Sequence, residues 1–113
     1  MDGAPGQRRD ARQTQAVAKV VYSARSLANI ERIFQFLRDE NPGSAVAAVA
    51  AIQSAVEHLA LHPLIGRRIE GEIRELIISY GRTGYIALYR FQILQDQVRI
   101  LALRHQREVG FLA

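Results

Sequence analysis

The run Ile73-Arg74-Glu75-Leu76-Ile77-Ile78-Ser79-Tyr80 decides the fold, read with the two runs that follow it, Tyr85-Ile86-Ala87-Leu88-Tyr89-Arg90-Phe91 and Val98-Arg99-Ile100-Leu101-Ala102-Leu103. All three are rich in β-branched and aromatic residues, the composition of strands. Gly81-Arg82-Thr83-Gly84 separates the first pair and Gln95-Asp96-Gln97 the second. Connections this short can join only antiparallel neighbours, because a parallel pair needs a crossover of a dozen residues or more. The C-terminal half is therefore expected to be an antiparallel meander.

Working back toward the N-terminus, the apolar period changes from two to that of a helix. Ala45, Val49, Ile52, Val56 and Leu59 recur at steps of four and three, predicting a helix from about Pro42 to Leu61. Ala47, Ala48, Ala50, Ala51 and Ala55 keep it slim and favour helix formation. Leu27, Ile30, Phe34 and Leu37 predict an earlier helix, with Ile33 and Phe36 widening its stripe, Ser23 offered as N-cap and an end near Asp39-Glu40-Asn41. Pro42-Gly43 punctuates the pair, so the two read as an αα-hairpin. Val17-Ala18-Lys19-Val20-Val21-Tyr22 predicts a first strand, and His62-Pro63-Leu64-Ile65-Gly66-Arg67-Arg68 reads as a loop. The expected fold class is α+β, in the order β-αα-βββ, with the helical hairpin packed on one face of an antiparallel sheet.

The sequence has 113 residues, enough for one domain with one core but not for two lobes around a deep cleft. Residues 1–16 show no apolar period and are expected to be a disordered extension, with the folded domain spanning 17–113. The alternative to a disordered extension is a mis-assigned initiation site, which requires that Val17 be encoded by GUG. The chain has no Cys, which excludes disulfides, Cys-rich zinc sites and thiol nucleophiles and suits the cytoplasm. No apolar run approaches the roughly 20 residues of a bilayer span, so no membrane partner is expected. The net charge is +4, and three of those positives fall in residues 67–113. Fourteen of the 15 basic residues are Arg, a choice that suits bidentate contacts but also follows from a GC-rich coding bias.

In chain order, Tyr22-Ser23, Leu27-Ala28-Asn29-Ile30, His62-Pro63-Leu64-Ile65-Gly66-Arg67, Arg74-Glu75-Leu76, Tyr85-Ile86-Ala87-Leu88-Tyr89-Arg90 and Val98-Arg99-Ile100-Leu101-Ala102-Leu103-Arg104-His105-Gln106-Arg107 form a series. It resembles the ParE/RelE superfamily of type II toxin–antitoxin toxins and plasmid stabilisation proteins, over roughly residues 17–111. The resemblance implies a toxin neutralised by a cognate antitoxin, without cofactor. The ParE branch implies inhibition of DNA gyrase. The RelE branch implies ribosome-dependent cleavage of mRNA.

Metal-free RNA cleavage needs a base, an acid and cations for the phosphate. The Lys set of the RelE branch is absent here, and no Tyr follows His105. Arg74 and His105 are what remains as candidate catalytic residues, so the ParE branch fits better and an inhibitory binder is expected over an enzyme. Arg74, Arg82, Arg90, His105 and Arg107 are the candidate functional surface, for which an acidic, amphipathic antitoxin segment is the expected partner. The bland alternatives are specific. His105 could bond a sheet edge, Arg74 could form a solvated pair with Glu75, and Tyr85 and Tyr89 could be core. His58 and His62 have metal-ligand spacing but no third ligand beside them, so no metal is expected. A third reading is a degenerate toxin that acts only as a binding partner or operon co-repressor.

Overall fold

Ser23 ends the first strand and opens the first helix. Its backbone is extended, and its Oγ accepts the Ser26 N–H, satisfying one of the orphan donors at the helix start. The computed structural model describes residues 17–108 and 110, so the expectations for residues 1–16, including the initiation site, lie outside the described residues. The elements are β1 (Lys19–Tyr22), α1 (Ala24–Glu40), α2 (Pro42–Glu57), β2 (Arg67–Glu70), β3 (Ile73–Tyr80), β4 (Thr83–Gln92) and β5 (Gln97–His105). Asn41 serves both helices. Its N–H bonds the Leu37 carbonyl, its Oδ1 accepts from Gly43 and Ser44 N–H, and Pro42 takes the first position of α2. A one-residue break this well satisfied folds α2 back along α1.

The α+β class and the meander β3-β4-β5 hold. The sheet is more than the meander, however. Five strands lie in the order β1-β5-β4-β3-β2, and β1 runs parallel to β5, so the sheet is mixed where antiparallel pairing throughout was expected. The helical hairpin supplies the crossover that a parallel pair requires. β2 falls in a segment read as a loop. All four of its residues are exposed, so it carries no buried-exposed alternation and forms only by backbone pairing with β3. α2 stops at Glu57, because its last turn tightens into a 3-10 turn over His58–Ala60.

One face of the sheet packs on the helices. Tyr85, Ala87 and Tyr89 of β4, Val98, Ile100 and Leu103 of β5, and Ile52, Val56 and Leu59 meet in one cluster. Each large side chain fully buried there contributes about 1.5–3 kcal/mol of hydrophobic stabilisation. The buried stripe of α1 is rotated from the expected one. Ser26, Asn29 and Ile33 face the sheet, while Leu27 and Phe36 are exposed. The polar pair is buried because it is bonded: Ser26 Oγ donates to the Ser23 carbonyl, and the Leu103 N–H donates to Asn29 Oδ1 at 2.9 Å.

Candidate functional site

At the end of the sheet where β3 turns into β4, the helices and strands part to leave a groove of about 660 Å³. Its apolar floor and wall are Ile33, Phe36 and Leu37 of α1 with Tyr80 and Tyr85 of the sheet. Gly81, at φ +60°, makes the tight turn that presents Arg82 at the rim. Arg107 is the second exposed rim cation, and Arg32 and Glu108 close the far side. Phe36 keeps 64% of its surface exposed, a large apolar side chain with no cover.

His105 enters the groove through a network that fixes its ring. The Arg107 N–H donates to Nδ1 at 3.1 Å, so the ring proton belongs on Nε2, which faces Thr83 Oγ1. Tyr85 packs edge-on against the ring at 5.3 Å. The His105 N–H donates to Glu108 Oε1 at 2.7 Å, and Arg32 grips the same carboxylate through Nη1 at 2.8 Å and Nη2 at 3.4 Å. Burial pushes the Glu108 carboxyl up, but the His105 N–H and the Arg32 guanidinium outweigh it and hold the group below the ordinary carboxylate range. Burial, with Tyr80 alongside, raises the Tyr85 phenol, which therefore stays protonated.

Of the five candidate surface residues, the structure brings three together at the groove: Arg82, His105 and Arg107. Arg74 lies elsewhere. It shares the helix-facing side of the sheet with Tyr89, its partner in register. Its Nη1 donates to the carbonyls of Gly66 at 2.8 Å and Leu64 at 3.2 Å, pinning the loop before β2. Its sequence neighbour Glu75 pairs instead with Arg67, at 2.6 Å. Arg90 alternates to the other face of β4, in register with Ile73 and Arg99, and its buried Nε has no hydrogen-bond partner among the described residues. Among the described residues no group of three or more His, Asp or Glu gathers as a metal site.

Residues 20–110 match the family model described as ParE toxin of the type II toxin–antitoxin system, parDE. The chain belongs to the ParE toxin family. Among the relatives of this ParE-family toxin is Toxin RelE3 of Caulobacter vibrioides, 34% identical over 84 residues, which are 74% of this chain and 89% of that protein. Toxin RelE1 of the same organism is 26% identical over 79% of this chain and 94% of its own length. Solved structures share the fold. The chromosomal ParDE system of P. aeruginosa superposes with a TM-score of 0.66 at 19% identity, covering 79% of this chain and 96% of that one. The RelBE2 toxin–antitoxin complex of Mycobacterium tuberculosis gives 0.57 at 18%, covering 83% and 97%.

Three residues that shape the candidate site carry no signal in the sequence. Thr83 stands in the connection between the first two strand runs, and neither Glu108 nor Arg32 belongs to a motif. The pair Arg32–Glu108 spans 76 positions, and no local pattern signals it. Asn29 did leave a signal, as a polar residue four before Ile33 on a helix that must bury one face.

Proposed function

We propose that this toxin acts by binding, with DNA gyrase in the cytoplasm as its target, and that its antitoxin silences it by laying an acidic, amphipathic segment in the groove. The observation that carries this reading is the use to which the candidate catalytic groups are put. Both ring nitrogens of His105 are engaged, by the Arg107 amide and by Thr83, and Arg74 Nη1 holds two carbonyls of the toxin's own loop. A general base needs a free lone pair within reach of its proton, and Arg74 commits one guanidinium nitrogen to the toxin's own loop. What stands open instead is an apolar groove with two exposed arginines at its rim, a surface suited to a helix with carboxylates along its border.

The test is a supercoiling assay with purified toxin, gyrase and relaxed plasmid. Inhibition or trapped cleavage is expected, and added antitoxin should reverse it. Full gyrase activity at large toxin excess refutes the target. The RelE-like reading, a ribosome-dependent mRNA endoribonuclease, is favoured by the names of the two Caulobacter relatives. Primer extension on translated mRNA after induction decides it. New cleavage sites that vanish in His105→Ala would establish that reading and overturn inhibition by binding.

A further inference from the structure

The end of the sheet opposite the groove carries an apolar surface that neither reading uses. Three chain segments are bolted together there by backbone hydrogen bonds. The Ala18 N–H donates to the Ala60 carbonyl at 2.9 Å, and the Lys19 N–H donates to the Asp96 carbonyl at 2.9 Å. Around these bonds Val17, Leu61, Leu64, Ile65, Ile93 and Leu94 are all more than half exposed. Ile93 and Leu94 form the tip of the β4–β5 connection at 71% and 95% exposure, at a place where turn chemistry asks for polar residues. Asp96 next to them holds φ +51°, the only non-glycine residue at positive φ among those described, and its N–H donates to the Ile93 carbonyl at 3.1 Å to close the turn. Beside this projection lies an open hollow of about 420 Å³, lined by His62, Pro63, Leu64, Ile65 and Phe91.

We propose that this end is a two-fold interface between two copies of the toxin, with Ile93 and Leu94 of each copy seated in the Pro63–Leu64–Ile65 hollow of the other. A projection and a hollow side by side on one surface is the arrangement that an isologous contact requires, since each copy must offer both halves. The six apolar side chains carry no charge, and Arg74, whose Nη1 holds the Leu64 carbonyl at 3.2 Å, stands at the border of the patch. At the area implied by about 1.5–3 kcal/mol per buried Leu or Ile, they offer on the order of 500 Å² of apolar surface per copy. With a polar rim this approaches the roughly 800 Å² per partner of a stable interface. The chain's own first 16 residues are a poor cover, because Met1 is their only large apolar side chain. The groove lies a full strand length away along β4, so the dimer leaves both grooves open.

Light scattering behind size-exclusion chromatography, run on the full chain over a range of concentrations, tests the proposal. The unmodified chain should show twice the monomer mass, falling to one at the lowest concentrations. Leu94→Asp and Leu64→Asp should each run as monomers at every concentration, with unchanged circular dichroism and with the melting temperature that the parent shows at the dilution where it is monomeric, because both side chains are exposed in the monomer. The chain has no Cys, so a mixture of the single variants Leu94→Cys and Leu64→Cys should also form a disulfide-linked heterodimer under mild oxidation. A monomeric unmodified chain overturns the proposal. So does a dimer that survives both aspartates, which would place the contact elsewhere.

Discussion

Replacing Gly66 with Ala should destabilise the toxin by about 3 kcal/mol, although it adds only one methyl group. Gly66 is buried, and a Cβ built on it would lie 2.6 Å from Tyr89 Cε1, 2.6 Å from the Tyr89 hydroxyl and 2.8 Å from the Glu75 carbonyl oxygen. Tyr89 is itself fully buried, and the Glu75 carbonyl is strand backbone, so neither neighbour can retreat. The loop must move instead, and its movement breaks two bonds. One is the Gly66 N–H to the Tyr89 hydroxyl at 2.8 Å, and the other is Arg74 Nη1 to the Gly66 carbonyl at 2.8 Å. A buried donor left unsatisfied costs about 1–3 kcal/mol, and a hydrogen bond from a charged group is worth about 1.5–3, less here because Arg74 is partly exposed. For a domain of this size, each kcal/mol lowers the melting temperature by roughly 4–8 °C, so Gly66→Ala should melt roughly 12–24 °C below the parent. Thermal unfolding followed by circular dichroism reads this directly. Tyr89→Phe, which removes only the hydroxyl, should lower the melting temperature by less, because the loop keeps its place and its bond to Arg74. If Gly66→Ala melts within about 2 °C of the parent, the loop has room that the structure denies it, and the clash argument fails.

Asn29→Ala should cost about 1–3 kcal/mol in urea unfolding, since it leaves the buried Leu103 N–H without its acceptor. Glu108 has its folded pKa lowered from 4.5, so its stabilisation is present above that value and is lost as the pH falls through the folded value. With Arg32 41% and Glu108 23% exposed, the gain is at most about 1 kcal/mol, and Glu108→Gln should abolish it. The stability gap between parent and variant, measured by urea titration across the acid range, should therefore narrow as the pH falls below 4.5. Phe36→Asp should weaken antitoxin binding in calorimetry by roughly thirtyfold, the scale of losing an apolar anchor, with the melting temperature unchanged because Phe36 is exposed in the free toxin.

The fold was legible where side-chain pattern and backbone geometry agree. The meander announced itself because three runs of strand composition are joined by connections too short for anything else, and the helical hairpin because Asn41-Pro42 satisfies one helix end while starting the next. Two features escaped because side chains do not encode them. β2 has no buried face, and its existence depends on pairing to β3. The parallel placement of β1 depends on how the crossover docks, with the Ser23 N–H on the Ile100 carbonyl and its Oγ on Leu101.

The candidate site was half legible, and the half that failed turns on the parity of β4 and β5. Arginines on a strand look alike in sequence, but alternation puts Arg90 on the face away from the helices, whereas Arg74 shares Tyr89's side and serves the loop. His105 is subtler. Val98 and Ile100 face the helices, so strict alternation would continue through Ala102 and Arg104 and turn His105 away. The ladder slips by one residue instead. Leu88 pairs with Ala102 but Tyr89 pairs with Ile100, leaving Leu101 as the extra residue of a bulge. Beyond it Leu103 and His105 take the helix side, opposite Ala87 and Tyr85. Nothing in Ile100-Leu101-Ala102-Leu103 marks where the slip falls, because every residue in the run is apolar and either register buries it. The bulge is therefore what delivers His105 to Thr83 and the groove. Without it the His105 ring would turn away from Thr83, and the groove would lose the side chain that Thr83 and the Arg107 amide hold in its wall.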